Sequence, residues 1–211
     1  TTGASDMAWG DADGDGDLDL AVGSDDVTVI YRNDSGILNL TDTMLPGYWE
    51  DNSQAEFDVI PITWTDFDND ADLDLLIPSV FDLNSFSFRT ALMRNDGLNG
   101  TGGFNFVEVD SVFEPTRHAS SMWADFDSDN DLDLLLVNMV PNTEESFIKR
   151  YRNDGNGIFT VENILDSLTV EHGEAQWGDF DNDGDLDILV AGNLNDGNGN
   201  YTLALQIYRN D

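Results

Sequence analysis

One passage of this sequence occurs four times. "WGDADGDGDLDLAVGS" begins at Trp9, "WTDFDNDADLDLLIPS" at Trp64, "WADFDSDNDLDLLLVN" at Trp123 and "WGDFDNDGDLDILVAG" at Trp177. The four tryptophans lie 55, 59 and 54 residues apart. A second signature follows each: "YRND" from Tyr31, "MRND" from Met93, and "YRND" from Tyr151 and from Tyr208. Self-similarity at a fixed period means one supersecondary unit stacked on copies of itself. A period of about 55 residues exceeds that of most helical repeats and fits the four-strand blades of a β-propeller.

Local patterning agrees. After each acidic run the chain reads as a strand. Leu18, Leu20 and Val22 form an apolar face, with Asp19, Ala21 and Gly23 on the other, whereas "LDLLLVNMV" (132–140) is apolar throughout, as for a strand packed on both faces. A second strand such as "VTVIYR" follows, then Asn-Asp-Gly turn chemistry, then a short strand such as "GIFTVEN". The approach to the next tryptophan supplies a fourth. The expected fold class is all-β: a β-propeller, or part of one, of four-stranded antiparallel blades. Residues 1–211 form a single repeat region with approximate repeats 1–55, 56–114, 115–168 and 169–211, the last incomplete.

Composition narrows the function. The 43 acidic residues against 8 basic ones give a net charge of −35, which opposes binding to nucleic acid or an anionic membrane. There are no cysteines, hence no disulfide framework and no Cys-based zinc site. No apolar run approaches the ~18 residues of a membrane span.

Each repeated passage holds five aspartates at alternate positions. Two such charges ~4 Å apart repel by roughly 4 kcal/mol at an effective dielectric of about 20. Numbered from the first aspartate, carboxylates fall at positions 1, 3, 5, 7 and 9, with Gly16 or Gly184 at position 6 of loops one and four. Hard oxygen donors at odd positions around a sharp turn suit Ca²⁺, which takes six to eight oxygens. An EF-hand would need a glutamate at position 12, where this chain has Val22, Ile77, Leu136 and Val190. Magnesium prefers fewer carboxylates, and zinc would want His or Cys.

The pattern D-x-D-x-D-G-x-x-D-L resembles the calcium loop of FG-GAP repeats, also called VCBS-type repeats. These build propeller blades in integrin α chains and in many secreted bacterial proteins, and the present versions are most similar to those of secreted Bacteroidetes proteins. The resemblance extends over essentially the whole chain. It implies side-chain ligands at positions 1, 3, 5 and 9. These are Asp11, Asp13, Asp15 and Asp19 in loop one, and Asp66, Asp68, Asp70 and Asp74 in loop two. Loop three supplies Asp125, Asp127, Asp129 and Asp133, and loop four Asp179, Asp181, Asp183 and Asp187. It also implies a backbone carbonyl from Asp17, Asp72, Asp131 and Asp185 at position 7. Loops two and three depart from the pattern at position 6, with Ala71 and Asn130. Asparagine tolerates left-handed backbone; alanine is strained there.

The four repeated tryptophans fit packing between blades better than a sugar platform. Tyr48 and Trp49 fall outside the repeat and are the better candidates for ligand contact. Arg32, Arg94, Arg152 and Arg209 repeat and suit structural ion pairs; Arg89, Arg117, Lys149 and Arg150 do not repeat. His118 and His172 each lie five residues before a tryptophan, so they occupy equivalent scaffold positions. No nucleophile motif or phosphate loop is present, so no catalytic residue is assigned.

The expected function is a calcium-stabilised binding or adhesion module, extracellular or on the cell surface, with one Ca²⁺ per repeat and up to four in all. It contacts protein or glycan through rim loops as part of a longer chain. Two alternatives stay open: an enzyme similar to the FG-GAP-like propellers among polysaccharide lyases, which would need calcium combined with His118, His172, Arg117 or aromatic residues in one cleft, and a structural spacer.

Overall fold

The computed structural model describes residues 4–24, 27–47, 61–82, 87–109, 113–139, 146–163, 170–195 and 201–210. Fifteen β-strands and no helix occur among them. The first sheet runs β1 (Ala4–Gly10), β2 (Asp19–Ser24), β3 (Val27–Asp34), β4 (Ile37–Pro46), and the second β5 (Thr63–Thr65), β6 (Asp74–Asp82), β7 (Ser87–Leu98), β8 (Phe104–Val109). The third contains β9 (Arg117–Ala124), β10 (Asp133–Met139), β11 (Ser146–Asn153) and β12 (Phe159–Asn163). The last contains β13 (Val170–Gly178), β14 (Asp187–Asn195) and β15 (Tyr201–Tyr208). Within every sheet, spatial order equals sequence order, so each is a meander of the propeller-blade type. Each acidic loop joins the first strand of its sheet to the second.

The chain forms two compact units, Thr1–His118 and Ala119–Asp211. In the first unit, Ala21 and Ile30 of the first sheet share a buried core with Leu75, Ile77, Ala91, Met93 and Phe104 of the second. Trp64 packs against this core, lies 6.3 Å from Phe106, and donates from its indole nitrogen to the Ala8 carbonyl at 3.0 Å. In the second unit, Leu135, Val137 and Ile148 meet Ala175, Ile188 and Val190. Trp177 repeats the device: its ring lies 5.1 Å from Phe126 and its indole donates to the Met122 carbonyl at 3.4 Å. Trp64 and Trp177 thus each rivet a sheet to the one before it, as expected; Trp9 departs from that expectation and is exposed, and Trp123 lies 6.2 Å from Phe159 of its own sheet.

The expected apolar face of β2 is oriented otherwise. Ala21 and Gly23 are buried, while Leu20 and Val22 are only half-buried and Leu18 is exposed. Because side chains alternate across a strand, the small residues face the second sheet and the bulky ones face outward. Strand register extends this outward face over the whole first sheet. One row runs Met7, Val22, Val29, Met44, and a second Trp9, Leu20, Tyr31, Leu40. By contrast, β6 and β10 are buried on both faces through Leu75–Leu76–Ile77 and Leu134–Leu135–Leu136, which matches their unbroken apolar sequence.

Candidate metal centre

The aspartates of each loop converge. Carboxylate oxygens of Asp11, Asp13 and Asp15 lie within 4.8 Å of one another, as do those of Asp66, Asp68 and Asp70, of Asp125, Asp127 and Asp129, and of Asp179, Asp181 and Asp187. The backbone is bent to allow this. Position 6 is left-handed in every loop, at Gly16 (φ 94°), Ala71 (75°), Asn130 (73°) and Gly184 (99°). Position 4 is left-handed as well, at Gly14, Asn69, Ser128 and Asn182, with φ between 60° and 70°. The sequence reading missed this second bend. Its signal was there: position 4 carries only Gly, Asn or Ser, residue types of turns and local side-chain bonds.

A common hydrogen-bond scheme holds the loop. The position-1 carboxylate accepts from the position-6 amide: Asp11 from Gly16 at 3.0 Å, Asp66 from Ala71 at 3.2 Å, Asp125 from Asn130 at 3.1 Å and Asp179 from Gly184 at 3.2 Å. The position-5 carboxylate accepts from the position-7 amide, as Asp15 does from Asp17 at 2.8 Å. Asp17 accepts in turn from Ser35.

Position 9 is the buried floor. Asp19, Asp74, Asp133 and Asp187 are all buried, and each grips two amides. One oxygen of Asp19 accepts from Ala12 at 2.9 Å and the other from Asn33 at 2.8 Å. Asp74 does the same with Phe67 and Asn95, Asp133 with Phe126 and Asn153, and Asp187 with Phe180 and Asn210. The floor aspartate therefore ties its loop to the Arg-Asn-Asp turn, whatever else it does. The turn asparagine completes the tie. Asn33, Asn95 and Asn153 donate from their side chains to the carbonyls of Leu18, Leu73 and Leu132. Read from sequence, "RND" was turn chemistry alone; its recurrence at a fixed distance from position 9 was the available clue.

Electrostatics favours a cation. Burial raises the pKa of Asp13, Asp68 and Asp127, and the next aspartate in each loop adds to it. Burial also raises Asp181, against the pull of Arg209. On the floor, burial lifts Asp19, carries Asp133 to about 6 and Asp74 to about 7, while the two amide bonds pull Asp187 down. Among the described residues, three carboxylate oxygens are buried without a hydrogen-bond partner: Asp11 Oδ1, Asp68 Oδ1 and Asp181 Oδ1. An orphaned anionic oxygen in a ring of carboxylates fits a hard divalent ion.

The repeated arginines were expected to pair with loop or neighbouring-strand carboxylates, and they do so only in part: Arg32 lies 3.9 Å from Asp13 of its loop and Arg152 3.6 Å from Glu162 of the neighbouring strand. Arg32, Arg94 and Arg152 pair with Asp34, Asp96 and Asp154 two residues on. Arg209 instead reaches into its loop, 2.9 Å from Asp181 and 3.5 Å from Asp183. Of the non-repeating cations, Arg89 pairs with Glu108, and Arg150 pairs with Glu162 while stacking 3.7 Å over Phe126. Tyr48 and Trp49 lie outside the described residues. His118 and Arg117 lie in β9 and His172 in β13, all three with side chains outside the described set.

Residues 137–190 match the family model of the FG-GAP-like repeat. Among solved structures, the chain is similar to a lectin of Agrocybe aegerita studied for specific recognition of non-reducing terminal N-acetylglucosamine. The TM-score is 0.52 at 17% identity, over 95% of this chain and 51% of that one. A search of curated proteins gave no match. The present chain spans about half of the lectin chain, and at that identity the likeness speaks for the fold. Four acidic loops on meander sheets of one topology make this an all-β repeat protein, and residues 137–190 of it match the FG-GAP-like repeat.

Proposed function

We propose that the chain is a calcium-stabilised binding module of an extracellular or cell-surface protein, which engages glycan or protein through loops at the rims of its sheets. The observation that carries the calcium reading is the set of orphaned buried oxygens on Asp11, Asp68 and Asp181, each within a cluster of convergent carboxylates. Bound calcium would supply the missing countercharge. The candidate ligands are the aspartates at positions 1, 3, 5 and 9 of each loop, with the position-7 carbonyl. The loop backbone, bent at positions 4 and 6, brings together positions 1, 3 and 5 in loops one to three and positions 1, 3 and 9 in loop four. The binding reading draws support from the likeness to a lectin. An enzymatic reading would require an asymmetric set of groups in one cleft, and the described residues offer four copies of one acidic loop instead.

Calorimetric titration of the chelator-treated chain with calcium tests the metal, and Asp11→Asn with Asp13→Asn should remove one class of sites. A glycan array with calcium, repeated in chelator, tests the ligand class. Retention of glycans ending in N-acetylglucosamine, lost on chelation, is the expected result. Heat-silent titration and an empty array would remove the proposal. Calcium-dependent formation of unsaturated products from acidic polysaccharides would replace it with the lyase alternative.

A further inference from the structure

Loops one and two lie in the same compact unit, and hydrogen bonds join the floor of one to the floor of the other. Asn95, in the Arg-Asn-Asp stretch of β7, is fully buried. Its backbone amide donates to Asp74, the floor of loop two, at 2.8 Å. Its side-chain amide donates twice: to the Leu73 carbonyl of loop two at 3.2 Å, and to the Ala12 carbonyl of loop one at 2.8 Å. Ala12 is fully buried as well, and its own amide donates to Asp19, the floor of loop one, at 2.9 Å. Ala12 also stands between Asp11 and Asp13, two candidate ligands of loop one. The route from Asp19 to Asp74 therefore passes through two residues, Ala12 and Asn95. Packing follows the same line. Gly10 immediately precedes Asp11, and a Cβ there would stand 2.7 Å from Cγ and Cδ1 of Trp64 and 3.0 Å from Cδ1 of Leu73. Trp64 leads into loop two and Leu73 leads out of it to Asp74. The entry to loop one is thus seated on both ends of loop two.

We propose that loops one and two fill with calcium cooperatively, and that Asn95 is the residue that couples them. This rests on the calcium reading of the acidic loops. An ion in loop one fixes Asp11 and Asp13, and with them the Ala12 peptide between. The Ala12 carbonyl then holds the Asn95 side chain, and the Asn95 backbone amide is held on Asp74. Part of the ordering that loop two requires is complete before its own ion arrives, which is positive cooperativity without a change of fold. Linkage demands that loop two favour loop one by the same factor. Repulsion between the two bound cations acts in the opposite sense and is screened by salt, whereas a coupling carried by buried hydrogen bonds is not.

Amide NMR of the full chain, titrated from chelator with calcium at ~150 mM and at ~1 M salt, tests this. The position-6 amides of Gly16, Ala71 and Gly184 report loops one, two and four separately, because each donates to the first aspartate of its own loop. Asp11→Asn with Asp13→Asn should raise the calcium concentration that half-fills loop two roughly tenfold, a usual size for coupled sites. Asp66→Asn with Asp68→Asn should do the same to loop one. Both shifts should persist at ~1 M salt, and the midpoint at Gly184 should stay where it was. In an Asn95→Ala background, silencing one loop should leave the midpoint of the other unmoved. Asn95→Asp keeps the oxygen that accepts from Gly97 and removes the donor, so it serves the same cycle should Asn95→Ala not fold. The loop-silencing pairs decide cooperativity with or without either variant. Midpoints that ignore the other loop, while all three amides respond to calcium, overturn the coupling and leave the calcium reading standing. Amides that calcium does not move overturn that reading and the coupling with it. A coupling that vanishes at ~1 M salt belongs to charge, and one that survives both substitutions of Asn95 runs by another route; either result overturns the proposal.

Discussion

Loops two and four hold the same five aspartates and the same hydrogen bonds, yet they differ in strain and in charge. Loop two bends through Asn69 and Ala71, and its floor carboxylate, Asp74, is lifted to about 7 by burial. Loop four bends through Asn182 and Gly184, its floor carboxylate is pulled down by two amide bonds, and Arg209 already sits on Asp181 and Asp183. Motif spacing sets the geometry, then, while the surroundings of each copy set what the geometry is worth. In loop two Arg94 acts on Asp68 only from a distance, its direct pair being Asp96; in loop four Arg209 pairs with the loop carboxylates themselves.

The broadest way to break this comparison is to withdraw calcium. A site filled at 100 times its Kd adds about 2.7 kcal/mol to the folded state, so melting temperatures in chelator and in millimolar calcium should differ by many degrees. Equal temperatures would mean that neither loop takes the ion.

Titration comes next. A folded pKa above the ordinary 3.8 means that the folded chain holds protons the unfolded chain has released, so stability falls as pH rises across that interval. In chelator, Asp74 and Asp133 should destabilise the chain progressively from about pH 4 to about 7 and 6, respectively. Asp187, shifted the other way, contributes stability above its unfolded value and loses it as pH falls through its folded pKa. Carboxylate NMR titration of the metal-free chain should order them with Asp74 highest and Asp187 lowest. Calcium should remove the Asp74 titration from the neutral range. The reverse order would undo the contrast.

A smaller effect separates the backbones. Left-handed alanine is strained by about 1 kcal/mol relative to glycine, so Ala71→Gly should tighten one calcium site roughly fivefold. Gly184→Ala should weaken another by the same factor. Calorimetry that shows neither change would mean that the ion dictates the loop rather than the reverse. The smallest effect concerns Arg209. Its ion pairs are half-exposed and worth at most ~1 kcal/mol. Arg209→Gln should lower metal-free stability slightly, raise calcium affinity a few-fold, and do neither at 1 M salt.

Much of this was legible in the sequence because it recurs. The acidic loops, the sheets that carry them and the bridging roles of Trp64 and Trp177 followed from spacing, whereas the exposure of Trp9 did not. Ala71 was legible too: a residue where the other loops have Gly or Asn announced strain, and its φ is 75°. What a single repeat cannot disclose is its neighbour. Leu20 and Leu75 occupy one repeat position with the same side chain, one half-open and one buried, and only packing distinguishes them. The duty of Asp19 was hidden for a related reason: alternation marks it as a donor to metal, whereas its two amide partners lie seven and fourteen residues away.

The floor aspartate has a consequence for how such chains can diverge. It pins the acidic end of each blade, and there the interval between strands is constant: Gly10 to Asp19, Thr65 to Asp74, Ala124 to Asp133 and Gly178 to Asp187. At the far end, where the second strand passes to the third, the intervals differ in every copy: Ser24 to Val27, Asp82 to Ser87, Met139 to Ser146 and Asn195 to Tyr201. One end of the blade is held to a fixed length and the other is free to accept insertions. A grafted peptide of altered length belongs at the second end, where it leaves the floor aspartate and its two amide bonds untouched.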